Sequence, residues 1–213
     1  MPDYLPSDPT GHPTDKTIFA PYIFFSRPDF WRQALGQNID DTSSDPRTLN
    51  FLSDLIAFTE PHTIVEVGTY RGWGTAVLAE TLRVYNLPGH VWSCDPIDHG
   101  VIHMLEQAEL STYVTLITGT FEDLLPQLST PIDLAYIDAS AKHEPGLRLR
   151  YTKLALEYLA PHGLIVVDDT AGDWKGVKSL RRLANLTLPQ NRGLTIVSKR
   201  HNPDLENTPR VAK

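Results

Sequence analysis

The chain has a single cysteine, Cys94, among its 213 residues, so no internal disulfide can form. Dense runs of lysine or arginine are missing too, and the formal net charge is −7. That combination argues against a surface that neutralises nucleic-acid phosphates. No stretch approaches the roughly 18 consecutive apolar residues that cross a bilayer. Residues 1–16 hold four prolines among polar side chains, the opposite of a secretion signal. Without such a signal the sequon Asn185-Leu186-Thr187 is set aside. There is no internal repeat and no low-complexity segment. These absences lead to the expectation of a cytoplasmic protein that partners neither membrane nor nucleic acid. What is present is ordinary for a globular chain: 41% hydrophobic and 21% charged residues, enough for one domain with a real core. Cys94 ends an apolar run and reads as a small buried residue.

Strand and helix signals alternate along the chain. Asp45-Pro46 offers a helix cap followed by proline at the first helical position, and Leu49, Leu52, Leu55 and Ile56 follow at helical spacing. Beyond Pro61 the predicted order is strand 63–67, helix 73–85, strand 90–94, helix 99–109, strand 113–118, helix 121–128, strand 132–137 and helix 144–159. Pro161-His162-Gly163 stops that helix, and strand 163–167 leads to helix 174–183. Such alternation implies a parallel sheet with right-handed crossovers. Leu164-Ile165-Val166-Val167 is apolar on both faces, as a buried parallel strand requires. The end departs from the pattern: Leu186-Thr187-Leu188 and Gly193-Leu194-Thr195-Ile196-Val197 flank a polar turn and predict an antiparallel hairpin.

The densest signal is Thr63-Ile64-Val65-Glu66-Val67-Gly68-Thr69-Tyr70-Arg71-Gly72-Trp73-Gly74-Thr75. A β-branched run ends in an acid, a turn with three glycines follows, and a helix begins. Strand, glycine turn and helix let a nucleotide-like ligand approach the backbone of an open α/β sheet. A dinucleotide fingerprint needs G-x-G-x-x-G, whereas this turn reads G-x-x-x-G-x-G with Glu66 two residues ahead. That spacing, and the final hairpin, exclude a nicotinamide-dependent oxidoreductase. E-x-G-x-x-x-G resembles the first motif of the S-adenosylmethionine (SAM)-dependent methyltransferases of Rossmann-like fold.

The resemblance implies an α/β sandwich with a mostly parallel seven-stranded sheet ending in an antiparallel hairpin. It implies SAM as cofactor, its amino acid end held by the turn. Glu66, Gly68, Tyr70 and Gly72 are the leading cofactor residues, and Thr75 is placed to reach the methionine carboxylate. Asp95, at the end of the second strand, is placed for the ribose hydroxyls; Asp98, three residues on, is a weaker candidate or a helix cap. Gly119, Thr120 and Phe121 follow the third strand, where the family faces the adenine, though Thr120 stands where an acid or serine is usual.

Two further segments point to the chemistry. The fourth strand ends Ile137-Asp138-Ala139 and the fifth ends Val167-Asp168-Asp169. Adjacent parallel strands bring Asp138, Asp168 and Asp169 together, and three carboxylates repel unless something neutralises them. A hard divalent cation such as Mg²⁺ is the simple answer. This pattern resembles the catechol O-methyltransferase-like family over residues 45–199, with Asp169 in place of the family's asparagine. Asp138 then serves metal, cofactor and catalysis together. The family's lysine position is Ala141 here, so Lys142 or His143 becomes the base that takes the acceptor hydroxyl's proton, unless both lie on an exposed loop. A metal-free variant has Asp138 and its neighbours touching the substrate directly.

The expected organisation is an N-terminal lead-in over 1–44, the methyltransferase domain over 45–199 and a polar tail over 200–213. Residues 17–31 crowd Ile18, Phe19, Tyr22, Phe24, Phe25 and Trp31 together. They pack on their own domain or, in a functional reading, form a lid or a homodimer contact. His99 and His103 stand four apart on a predicted helix but lack a third zinc ligand, and Lys178, Arg181 and Arg182 read as a solvated face. The function expected is O-methyl transfer from SAM to a small hydroxylated molecule. The alternative is an inactive SAM-binding module serving a partner protein.

Overall fold

A computed structural model describes residues 44–139, 144, 146–171, 176–188 and 192–199. The aromatic segment 17–31, Ala141, Lys142, His143 and the tail 200–213 lie outside the described residues. The elements run α1 (Pro46–Thr59), β1 (Thr63–Val67), α2 (Trp73–Val84), β2 (His90–Asp95), α3 (Val101–Gln107), β3 (Val114–Thr118), α4 (Phe121–Leu124), β4 (Ile132–Ile137), α5 (Leu147–Tyr158), β5 (Leu159–Asp168), α6 (Val177–Leu183), β6 (Leu186–Leu188) and β7 (Leu194–Ser198).

The sheet has seven strands in the order β3-β2-β1-β4-β5-β7-β6. β1 to β5 pair in parallel, while β7 runs antiparallel to both β5 and β6. The expected parallel sheet with a terminal hairpin is therefore present, and β7 is inserted between β5 and β6. Its two faces bury separate cores. Leu49, Leu52 and Ile56 of α1 and Ala76 and Leu82 of α2 pack with Ile64, Val91 and Val166. On the other face Phe121, Leu124, Tyr151, Ala155 and Leu180 pack with Val65, Ile137, Ile165 and Val167. The inner strands are apolar on both sides because helices cover both sides. No helix among the described residues is long and apolar enough to cross a membrane.

α1 begins as its sequence predicts: the Asp45 carboxylate accepts from the Arg47 amide at 2.7 Å, with Pro46 at the first helical position. Three helices start later than predicted. α3, α5 and α6 each begin directly after a glycine with positive φ, Gly100, Gly146 and Gly176, which turns the chain into the helix. β5 starts earlier than predicted. Ile132 pairs with Leu159 and Leu134 with Leu164, so the Pro161-His162-Gly163 segment bulges between two paired positions.

The register sets up the functional edge. Ser93, Glu66, Tyr136 and Val166 stand abreast on β2, β1, β4 and β5. Two residues further on, Asp95, Gly68, Asp138 and Asp168 reach the carboxyl edge, where ligands bind in open α/β sheets.

Candidate functional site

The turn after β1 passes directly beneath the end of β4. Gly68 has φ +107°, and a Cβ there would stand 2.7 Å from the Asp138 carbonyl oxygen. Only glycine allows both that backbone conformation and that approach. The Gly68 amide donates to the Cys94 carbonyl at 2.9 Å, which ties the turn to β2. Tyr70 also has positive φ, and its amide donates to Asp95 Oδ2 at 2.9 Å. Gly72 ends the turn as the residue preceding α2; its amide donates to the Thr69 carbonyl at 2.8 Å.

Glu66 lies below this turn and not on its open side. It is 1% exposed, and its carboxylate accepts from Ser93 Oγ at 2.6 Å and from the Thr75 hydroxyl. Ser93 Oγ is also 2.6 Å from Thr69 Oγ1, which links the buried acid to the turn. Thr75 is fully buried as well. Glu66 and Thr75 were expected to touch a ligand; the structure buries both under the turn, with the Thr75 hydroxyl donating to Glu66 Oε2. Burial raises the Glu66 carboxyl to about 8, because water no longer stabilises its charge.

Beside the turn is a shallow open hollow, lined among others by Tyr70, Asp95, Asp98, His99 and Thr118. Asp95 Oδ1 accepts from the Ile97 amide at 3.0 Å. With Tyr70 on Oδ2, each oxygen keeps a lone pair for a ligand hydroxyl. Asp98 accepts from the Gly100 amide at 2.8 Å and closes the loop before α3. His99 lies edge-on to Tyr70, with ring centroids 5.1 Å apart, while His103 is exposed beside Glu106. Gly119 donates its amide to the Asp95 carbonyl at 2.9 Å and follows Thr118, which lines the hollow. Thr120 is engaged otherwise: its hydroxyl and amide both donate to Asp123 Oδ2 at 2.8 Å, capping α4. Phe121 is completely buried against Tyr151 and belongs to the core, a correction to its expected ligand role.

On the other side of Gly68 the three aspartates converge. Tyr136 Oη stands 3.2 Å from Asp138 Oδ2 and 3.0 Å from Asp168 Oδ2, and Ser44 Oγ donates to Asp138 Oδ2 at 2.7 Å. Asp168 is 1% exposed; burial first, then the Asp138 charge, raises its carboxyl to about 7. Burial likewise raises the Asp138 carboxyl and the Tyr136 phenol above their ordinary ranges. Asp169 turns outward in the left-handed region and meets two guanidinium groups. Arg192 grips it through Nε on Oδ1 and Nη2 on Oδ2, and Arg148 Nη2 donates to Oδ2 at 2.9 Å. Arg148 Nη2 is also 3.9 Å from Asp138 Oδ1.

Residues 65–170 match a family model described as a methyltransferase domain. Over that span the chain carries a methyltransferase domain. Solved structures of similar fold agree with the architecture. A methyltransferase of Podospora anserina bound to S-adenosylhomocysteine (SAH) has a TM-score of 0.64 at 19% identity, covering 93% of this chain and 99% of that one. The O-methyltransferase TomG from Streptomyces achromogenes, in complex with SAM, has 0.61 at 19% identity over 87% and 91%. An O-methyltransferase from Bacillus cereus in complex with SAH has 0.62 at 21% identity over 88% and 92%. No curated protein matches the chain.

The edge offers a glycine turn, a carboxylate with spare lone pairs and a hollow beside them, a set of groups that suits SAM. It does not accommodate the expected divalent cation. A hard cation needs six or more oxygen ligands. Both Asp169 oxygens are held by guanidinium groups, Asp168 Oδ1 accepts from the Asp169 amide at 2.8 Å, and Tyr136 bridges the rest. Among the described residues no three His, Cys, Asp or Glu side chains are arranged to hold a metal ion.

Four residues of this cluster escaped the sequence reading: Ser44, Tyr136, Arg148 and Arg192. The one signal for the arginines was the carboxylate at Asp169 where the family has an amide, since an added buried-edge charge calls for a partner. Arg181, read as part of a solvated face, instead donates to the Thr170 carbonyl at 2.6 Å and braces the chain after β5.

Proposed function

We propose that this methyltransferase transfers the methyl group of SAM to a hydroxyl of a small molecule. The observation that carries the reading is the contact of Gly68 with the Asp138 backbone. It puts the glycine turn and the acidic cluster side by side on one sheet edge. SAM, when bound, supplies an electrophilic methyl group for in-line displacement. The chain has to bind and orient SAM, exclude water and remove the acceptor's proton.

Asp95 is assigned to the ribose hydroxyls, and the turn through Gly68, Tyr70 and Gly72 to the amino acid end, with Gly119 beside the adenine. Glu66, Thr75 and Thr120 hold these elements in place. Asp138 is assigned as the group that accepts the hydroxyl proton, since its burial favours the protonated form once the proton arrives. Two routes to an activated hydroxyl were expected: a cation on Asp138, Asp168 and Asp169 with Lys142 or His143 taking the proton, or direct contact of Asp138 and its neighbours with the substrate. The guanidinium groups on Asp169 favour direct contact. The choice of oxygen as acceptor is supported by the O-methyltransferases of Streptomyces achromogenes and Bacillus cereus that share the fold.

The test is calorimetric titration of SAH and NAD, followed by an assay of labelled methyl transfer from SAM to a panel of phenols, sugars and polyketide hydroxyls. Binding of SAH but not NAD, with transfer lost in Asp138→Asn while SAH binding persists, supports the reading. SAH binding with no transfer to any hydroxyl leaves the binding-module alternative standing.

A further inference from the structure

The acidic edge carries its own counter-charge. Of its three carboxylates, Asp138 and Asp169 face the guanidinium groups of Arg148 and Arg192, and the Asp168 charge also acts on Arg192. Arg148 comes from α5, its side chain 8% exposed, and reaches both Asp169 and Asp138. Arg192 comes from the turn between β6 and β7 and is 38% exposed. Its backbone is fixed by the Ala171 amide, which donates to the Arg192 carbonyl at 2.7 Å. The guanidinium fork matches a carboxylate in two parallel bonds, a geometry lysine cannot reproduce. With both arginines seated, a divalent cation would carry the cluster past neutrality and would sit against two like charges.

We propose that Arg148 and Arg192 occupy the electrostatic place of a divalent cation in this methyltransferase, which therefore acts on a single acceptor hydroxyl without metal chelation. This rests on the O-methyl transfer reading given above. It also accounts for the departure at Asp169. An asparagine there offers only a neutral carbonyl, whereas the carboxylate forms the two-pronged bond that seats Arg192. Asp169 is thus a positioning residue for the arginines. A chelating vicinal diol gains nothing over a lone hydroxyl, since there is no ion to share.

The test is Mn²⁺ titration followed by electron paramagnetic resonance, on the full chain with and without saturating SAH. The wild type is expected to take up no ion saturably below about 1 mM, the weak end of protein sites for hard divalent cations. Arg192→Gln exposes the carboxylates and is expected to bind one ion at least about tenfold more tightly than the wild type. Adding Asp168→Asn to that variant removes the uptake. Arg192→Lys, which keeps the charge, stays without uptake. Saturable binding of one ion by the wild type, lost in Asp168→Asn, would overturn the proposal. So would an Arg192→Gln variant that melts like the wild type and binds no better. The titration without SAH reads this outcome even if SAH fails to bind, and that failure would count against the SAM reading instead.

Discussion

Replacing Glu66 by glutamine should remove a pH dependence that is built into the base of the cofactor turn. The folded protein holds the Glu66 carboxyl at about 8 against an ordinary value of 4.5. An acid whose folded pKa is raised binds its proton more tightly in the folded state than in the unfolded one. Its contribution to stability is therefore intact below about 4.5 and is lost as pH rises towards 8. At about 1.4 kcal/mol per unit, stability falls by about 4 kcal/mol between roughly pH 5 and roughly pH 9. Glutamine keeps an oxygen to accept from Ser93 and Thr75 and never ionises, so it lacks this slope. For a chain of this length that difference amounts to about 10 °C in Tm at the alkaline end. Urea unfolding of both proteins across the range measures it, and other groups cancel in the comparison. Parallel stability curves for wild type and variant would refute the assignment of a proton to buried Glu66.

Three further outcomes test the rest of the edge. Asp95→Ala should weaken SAH binding about a hundredfold in calorimetry, because the charge-assisted hydrogen bonds proposed to both ribose hydroxyls would go at once. Gly68→Ala should destabilise the fold by more than about 1 kcal/mol in denaturant and lose SAH binding, since the new methyl group meets the Asp138 carbonyl and φ is +107°. Tyr136→Phe removes the hydroxyl that favours the charged form of Asp168, so the Asp168 carboxyl should titrate above about 7 in a carbon-13 NMR titration.

Most of the fold was legible because periodicity and turn chemistry are local. The alternation after Pro61, the buried run at Ile165-Val166-Val167 and the cap at Asp45-Pro46 each declare themselves within a few residues. Helix starts were less legible, since Gly100, Gly146 and Gly176 enter the helices from a backbone region that their flanking residues do not announce. The site divides the same way. Gly68 and Asp95 were legible as candidates because they sit at strand ends, which topology alone puts at the carboxyl edge of the sheet. Phe121 was misplaced because adjacency in sequence to Gly119 says nothing about which way a ring turns, and it turned into the core. Glu66 and Thr75 were found as a motif, but their direction was not.

Sequence by itself determined the family, the sheet with its hairpin, and the gathering of Asp138, Asp168 and Asp169, since each follows from patterns within single strands and turns. The tertiary structure decided what those carboxylates face. Arg148 lies on a helix and Arg192 in a hairpin turn, 44 positions apart by number, and neither belongs to a local motif. Charge compensation depends on distance in space, and only the packing of α5 and the β6–β7 turn against the end of β5 brings both guanidinium groups onto one carboxylate.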